Sequence, residues 1–327
     1  MRSITRRVAV SVLALAAISL AAGGATAQAN YPDHPVRVIL PFGPGGVADI
    51  TARLVADKLS DKMGQRFVIE NMPGAGGIAA ARAVLGAGAD GYTLAFITNG
   101  TAISVPLFKA LPFDPLKQFV PISAIGYFDL VFAVAGNSNF RTLGELLKAA
   151  RDRPGTLNVG SIVVGSTQNL TAQLFKSMSG ADIVIVPFRT SPDEAIALLR
   201  GDIQLEVEFY AALKSGLESG QARALATSGL HRSPELPDIP TASEAGVPNF
   251  DVTSWNALYA PAGTPQPIID KLNAALRDVL ADPDLKRRAL DLGIDAKGSS
   301  PAAMDAQMRA DIDKWNKVIE TAHIAKQ

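Results

Sequence analysis

From Val36 onward, short β-branched runs alternate with stretches of helical spacing, and a glycine or small-hydroxyl turn follows several of the runs. VRVIL (36–40), FVIE (67–70) and TLAFI (93–97) read as strands. VADITARLVADKLSDKM (47–63) and IAAARAVLGAG (78–88) carry apolar residues three and four apart and read as helices. Strands separated by helices need crossover connections, so the pattern predicts a parallel α/β sheet covered on both faces. In such a sheet the turns that follow the strands share one edge, where ligands bind.

The middle third repeats the theme. Thr142-Leu143-Gly144-Glu145 predicts a capping box opening a helix through Ala150, stopped by Pro154-Gly155. LNVGSI (157–162), IVIVPF (183–188), IQLEVEF (203–209) and RALATS (223–228) read as strands, and STQNLTAQLFKSM (166–178) as a helix. Ser191-Pro192-Asp193-Glu194 predicts a second capping box with proline at the first helical position. A proline-rich connector then precedes DVTSWNALYA (251–260), which reads as extended, and Thr264-Pro265 starts a run of helices. The closing helix, roughly 301–322, carries a core stripe of Met304, Met308, Ile312, Trp315 and Ile319.

The first thirty residues predict export. Arg2, Arg6 and Arg7 flank the start of VAVSVLALAAISLAA, an apolar run shorter than the ~20 residues that span a bilayer. Ala25-Thr26-Ala27 and Ala27-Gln28-Ala29 are small-x-small cleavage sites, so residues 1–29 read as a signal peptide and the mature chain as periplasmic. The sequence holds no cysteine, which excludes disulfides and a lipid-modified cysteine anchor. Stability must come from a core, which about 300 residues supply most readily as two domains. Without the three leader arginines, 28 basic residues face 31 acidic ones. No basic stripe with interleaved aromatics occurs, so nucleic acid is not an expected partner.

Phe42-Gly43-Pro44-Gly45-Gly46 lies between the first strand and the first helix, the layout of an anion cradle. A nucleotide phosphate and a small carboxylate both fit. Gly43-x-Gly45-x-x-Ala48 matches the dinucleotide pattern, and Glu70 ends the next strand where a ribose-binding acid belongs. Against that reading, nicotinamide cofactors are scarce outside the cytoplasm, and Asp49 in the first helical turn opposes a diphosphate. Neither a hydride-transfer apparatus nor a Gly-Lys-[Ser/Thr] sequence accompanies the loop. A third reading is structural: the glycines permit a tight turn, and the helix dipole favours Asp49.

Three more turns favour the carboxylate. Asn71 to Gly77 contains Gly76 and Gly77 and again separates a strand from a helix. Thr98-Asn99-Gly100-Thr101 reads as a turn after TLAFI, and Val164-Gly165-Ser166-Thr167 opens a middle-domain helix. One helix N-terminus contributes only about 0.3–1 kcal/mol to an exposed anion. Several converging from two domains can hold a carboxylate without an arginine. Metal-ligand spacing is absent, the three histidines are scattered, and Gly-x-Ser-x-Gly does not occur.

YPDHPVRVILPFGPGGVADITAR, ENMPGAGGIAAARAV, DGYTLAF, LPFDPLKQFVPIS, PELPDIPTASEAGVPNF and APAGTP together resemble the extracytoplasmic solute receptors of tripartite tricarboxylate transporters, the Bug receptors. The resemblance runs from about Tyr31 to the final helix. It implies a type II periplasmic-binding-protein fold: two α/β domains joined by two crossing strands, with the ligand cleft between them. Residues 30–130 plus 253–327 would form domain 1 and residues 131–252 domain 2. It further implies a monomer that captures a small carboxylate and delivers it to integral membrane subunits, without catalysis, cofactor or metal. By the same resemblance the carboxylate loop is Phe42, Gly43, Gly45 and Gly46 with Asp49 at the family's acidic position. Gly76, Gly77, Thr98 and Asn99 add to it, and Ser161, Gly165, Ser166 and Thr167 come from domain 2.

The departures from the family cluster in domain 2. After Ser161 the family commonly has Ser-Gly-x-Gly and then a histidine; this chain has Ile162-Val163-Val164-Gly165 and Asn169. The usual His-Val-Pro-Tyr-Lys-Gly reads Ile185 to Thr190, and a usual Phe-Asp reads Val207-Glu208. Arg189 is thus either a bidentate partner for a second carboxylate or a surface arginine at a strand end. Glu208 is either the partner of a ligand amine or a solvated acid. Two other functions stay open: a secreted dinucleotide-dependent oxidoreductase, and a sensory receptor with the same binding physics.

Overall fold

The computed structural model describes residues 31–327, so the leader reading of residues 1–29 lies outside the described residues. Strand β1 (Val36–Leu40) leads through the Phe42–Gly46 loop into helix α1 (Val47–Met63). Helix α1 buries Ala48, Ala52, Val55 and Leu59, the spacing of a single face. It stops at Gly64, whose φ of +75° lets its N–H return to the Ser60 carbonyl. Strand β2 (Phe67–Asn71) pairs parallel with β1. A 3-10 turn at Ala75–Gly77 precedes α2 (Ile78–Leu85), and β3 (Thr93–Thr98) pairs parallel with β1 on its other side.

The expected turn at Thr98–Thr101 is the first turn of a helix, α3 (Asn99–Leu107). Thr98 ends the strand and also caps the helix, its hydroxyl accepting the Gly100 N–H at 3.2 Å, so no separate turn remains. The short α4 (Pro115–Gln118) then feeds β4 (Phe119–Ala135), a strand of 17 residues.

The second lobe runs α5 (Leu143–Asp152), β5 (Asn158–Ile162), α6 (Thr167–Ser179), β6 (Val184–Phe188), α7 (Ser191–Arg200), β7 (Leu205–Phe209), α8 (Tyr210–Glu218) and β8 (Ala222–Thr227). The capping box on α5 forms between Thr142 and Glu145. On α7 the cap sits one residue earlier than the sequence suggests. Thr190 accepts the Asp193 N–H at 3.2 Å, because the Ser191 hydroxyl is turned inward to Glu208. The chain returns through β9 (Thr253–Pro261), α9 (Gln266–Ala281), α10 (Pro283–Leu290), β10 (Asp295–Ala296) and α11 (Pro301–Thr321). Helix α11 buries Met304, Met308, Trp315 and Ile319, while Ile312 is half-buried. Asp311 joins the stripe, accepting the Trp255 indole N–H at 2.5 Å.

The strands follow the order β2-β1-β3-β9-β4-β7-β5-β6, with β8 and β10 also on β4. The parallel pairing expected from the alternation holds within each lobe at β1–β2, β1–β3, β5–β6 and β5–β7, and the crossing strands add antiparallel pairs. Strand β4 leaves the first lobe and β9 returns to it, so the two run antiparallel. Up to Asp129, β4 pairs with β9; from Leu130 onward it pairs with β7 and β8. Buried Ser228 ties this switch point together. Its hydroxyl accepts the Leu130 N–H (2.8 Å) and donates to the Val252 carbonyl (2.6 Å). In the second-lobe core Phe132 packs against Phe175 and Phe250, with ring centroids 4.9 and 5.7 Å away.

Candidate functional site

The first-lobe face of the cleft begins at the Phe42–Gly46 loop. Gly45 adopts φ +89°, a region that L side chains rarely enter. Its N–H donates to Asp49 Oδ2 at 3.1 Å. Asp49 Oδ1 receives Arg53 and the Asn71 amide, and that amide also donates to the Phe42 carbonyl (3.0 Å). Asp49 is therefore a brace that folds the loop from behind. Burial opposes its charge, yet the bonds from Arg53, Gly45 and Asn71 hold its carboxyl below the ordinary range. Gly46 at the N-cap supplies no side-chain acceptor, so the first N–H groups of α1 stay uncapped. Gly46, Val47 and Ala48 line a cavity between the lobes together with Phe42, Gly43 and Thr98.

The second-lobe face comes from the N-terminus of α6 and from the turn that opens α7. Ser166 caps α6 by accepting the Asn169 N–H at 3.1 Å. The next two residues, Thr167 and Gln168, reach the cavity, as do Arg189, Thr190 and Ser191. Phe128 from the crossing strand β4 and Phe209 from the end of β7 close it, and Ser254 and Asn256 complete it from β9. The lobes touch. Thr167 Oγ1 lies 3.1 Å from Ser254 Oγ, and the Gly76 N–H donates to the Val164 carbonyl at 3.2 Å. A Cβ on Gly43 would sit 2.5 Å from Thr190 Cγ2, and one on Gly46 would sit 2.8 Å from Ser191 Oγ. This cavity holds about 20 Å³, room for one water-sized occupant, so a larger ligand enters it only as the lobes part.

Of the residues expected from sequence, Phe42, Gly43, Gly46, Thr98, Thr167 and Arg189 line this cavity. Gly76, Gly77, Gly165 and Ser166 line an adjacent gap, which Phe42 and Thr98 share. The other five stand behind the walls. Gly45 packs toward Pro192, and Asp49 braces the loop. The Asn99 side chain accepts from the Trp315 indole (2.9 Å) and donates to the Thr253 carbonyl (3.2 Å). Ser161 is enclosed between the Ile162 carbonyl and the Asn169 amide. Glu208 is 1 % exposed, which removes the reading of it as a solvated acid. Arg189 is exposed at the rim and forms no ion pair among the described residues. Glu70, the acid a dinucleotide would need, is held bidentately by Arg37 at 2.7 and 2.8 Å.

The family model described as tripartite tricarboxylate transporter family receptor matches residues 51–324. The chain belongs to that family. It is 32% identical over 318 residues to the protein BugT of Bordetella pertussis, covering 94% of this chain and 96% of BugT. A Pseudomonas sp. protein from the tcbD-tcbE intergenic region is 31% identical over 310 residues, 93% of this chain and 92% of its own length. Among solved structures, R. palustris Rpa4515 with adipate superposes with a TM-score of 0.87 at 35% identity, covering 90% of this chain and 99% of that one. MatC (Rpa3494) from Rhodopseudomonas palustris with bound malate gives 0.84 at 32% identity, covering 88% and 100%. Among its described residues this family member has no helix long and apolar enough to cross a membrane.

Sequence reasoning missed Gln168, Thr190, Ser191, Ser254 and Asn256 in this receptor's cleft. The last two had a usable signal: DVTSWNALYA reads as extended, and residues two apart on a strand share a face. Gln168 had none, since its position depends on where α6 begins. The second lobe also buries an acid group with no basic partner among the described residues. Glu194, Glu206 and Glu208 are all at most 1 % exposed, and neither carboxylate oxygen of Glu194 has a hydrogen-bond partner among the described residues. Burial pushes all three carboxyls up, and their mutual repulsion adds for Glu194 and Glu206; Glu206 reaches about 8.

Proposed function

We propose that this protein is a periplasmic solute receptor that captures a small carboxylate by closure of its two lobes and delivers it to the membrane subunits of a tripartite tricarboxylate-type transporter. The reading takes residues 30–130 plus 253–327 and 131–252 as the lobes and a monomer as the working unit. One observation carries it: an uncapped helix N-terminus on one lobe and a row of small polar side chains on the other meet at a single cavity between them. The acid head group would lie against Phe42, Gly43 and Gly46 and the first N–H groups of α1, where the helix dipole favours an anion. Thr98, Thr167 and Arg189 would contact the rest. The adipate and malate bound by related structures support a carboxylate as the ligand class. Contacts to both lobes favour the closed state, which the transporter would recognise. The chemistry asked of the protein is binding alone.

The test is Gly46→Asp. A carboxylate at that position places like charge at the head-group site and crowds Ser191 across the cleft. Wild type should gain melting temperature with a binding mono- or dicarboxylate, and Gly46→Asp should lose that gain while keeping its own unliganded melt. A variant that still shifts with the acid would show that the head group binds elsewhere.

A further inference from the structure

We propose that buried Glu208 sets the hydrogen-bonding polarity of the second-lobe wall, so that the cleft selects a small carboxylate carrying an amino or hydroxyl donor over a dicarboxylate of the same length. The inference rests on the carboxylate reading above. Glu208 has three partners: the Gln168 side-chain amide N–H (2.9 Å), the Ser191 hydroxyl (2.5 Å) and the Phe209 backbone N–H (2.7 Å). All three donate to it, and all three residues line the cleft. A carboxylate only accepts hydrogen bonds, so it dictates how its neighbours point. With the NH2 of Gln168 on Glu208, the carbonyl oxygen is the end that remains available. With its proton directed at Glu208, Ser191 has only lone pairs left to offer.

The first-lobe face is the reverse. It offers the N–H groups of α1, and the buried Asn256 Nδ2 there has no partner among the described residues. The cleft thus runs from donors on the first lobe to acceptors at Gln168 and Ser191 on the second, with the Arg189 guanidinium standing apart at the rim. A ligand carboxylate set against the first lobe is matched. A second carboxylate facing Gln168 and Ser191 meets acceptors and the negative charge behind them, whereas an ammonium or hydroxyl completes both. The groups around Glu208 supply no counter-charge, since burial holds the Glu206 and Glu194 carboxyls toward their neutral, protonated forms. Glu206 comes from the same strand and Glu194 from α7, and α6 contributes the neutral Gln168. Arg189, at the rim, is not paired with Glu208. A proton on Glu208 reverses the wall: its O–H donates to Ser191 Oγ, and the Ser191 proton turns toward the cleft. The selectivity is therefore lost in acid.

The experiment is calorimetric titration with matched sets: malonate, β-alanine and 3-hydroxypropionate, then succinate, 4-aminobutyrate and 4-hydroxybutyrate. Wild type, Glu208→Gln and Ser191→Ala are each measured at neutral and at acid pH. In wild type at neutral pH, the donor-bearing acids should bind at least about tenfold tighter than the dicarboxylate of equal length, a difference of the kind a matched polar site enforces. Glu208→Gln, whose amide can donate to Ser191, should collapse or invert that ratio. Ser191→Ala should shrink it without the folding risk of changing a buried acid. A general structural role for Glu208 would weaken all acids together and leave the ratio in place. A tighter dicarboxylate in wild type, or an unchanged ratio in both variants, overturns the inference. If no acid of either set binds wild type, the receptor reading falls with it; if all bind without preference, only this inference falls.

Discussion

The two faces of the cleft hold their polar groups in opposite ways. On the first lobe the head-group contacts come from the backbone of the glycine loop and α1, with Thr98, Ser254 and Asn256 beside them, and the acid behind the loop, Asp49, is neutralised by Arg53 and faces away from the cavity. On the second lobe the contacts come from side chains, and the acids behind them have no basic partner among the described residues. Backbone N–H groups do not change with sequence, so the first face is suited to an invariant feature such as an acid head group. Side chains resting on a buried carboxylate can be altered one substitution at a time, so the second face is suited to telling one ligand from another.

The largest break in this comparison should come where the faces meet. Gly43→Val places a Cβ 2.5 Å from Thr190 Cγ2 and should prevent the lobes from seating. We expect affinity for a binding carboxylate to fall about 100-fold or more, about 2.7 kcal/mol, with the unliganded melt unchanged. Titration calorimetry reads the first, and solution scattering with ligand reads whether the particle still contracts.

Next in size is the contrast in charge. Glu206 titrates in the folded state at about 8, above its ordinary value. A raised folded value means that the stability it contributes is complete below the unfolded value near 4.5 and is lost as pH rises through about 8. Glu206→Gln should therefore raise the melting temperature at pH 8–9 and leave it nearly unchanged at pH 4. Melts across that range check it, and an equal gain at both ends would remove the ionisation from the account. Asp49 runs the other way. Its folded value is lowered, so its contribution is present above the unfolded value near 3.8 and is lost as pH falls through the folded one. Asp49→Ala should cost roughly 1–3 kcal/mol in denaturant melts at neutral pH, since it strands Gly45, Asn71 and Arg53, and the loss should narrow in acid. Because the brace shapes the loop, carboxylate affinity should drop with it.

Much of the first face is legible in the sequence because glycine and proline act locally. Gly45 must be a glycine at φ +89°, and the strand–turn–helix order around it fixes which edge of the sheet it occupies. The second face resists such reading. Ser191 was expected to cap α7, and only its bond to Glu208 shows why Thr190 does so instead. Strand β4 has no clean alternation, since most of its residues are buried on both faces, so neither its length nor its change of partners at Asp129 can be read from spacing. Asn99 looks like a cleft residue by position, yet Trp315, 216 residues away, takes its side chain.

The sequence by itself determined the α/β alternation, the glycine turns at strand ends and the family to which the chain belongs, because periodicity and backbone permissiveness are properties of neighbouring residues. The tertiary structure decided that those turns face a second lobe, that Asp49 braces rather than binds, and that three glutamates lie buried together. Those outcomes depend on which groups lose water and which partners they then meet, and that is settled only when distant segments pack against one another.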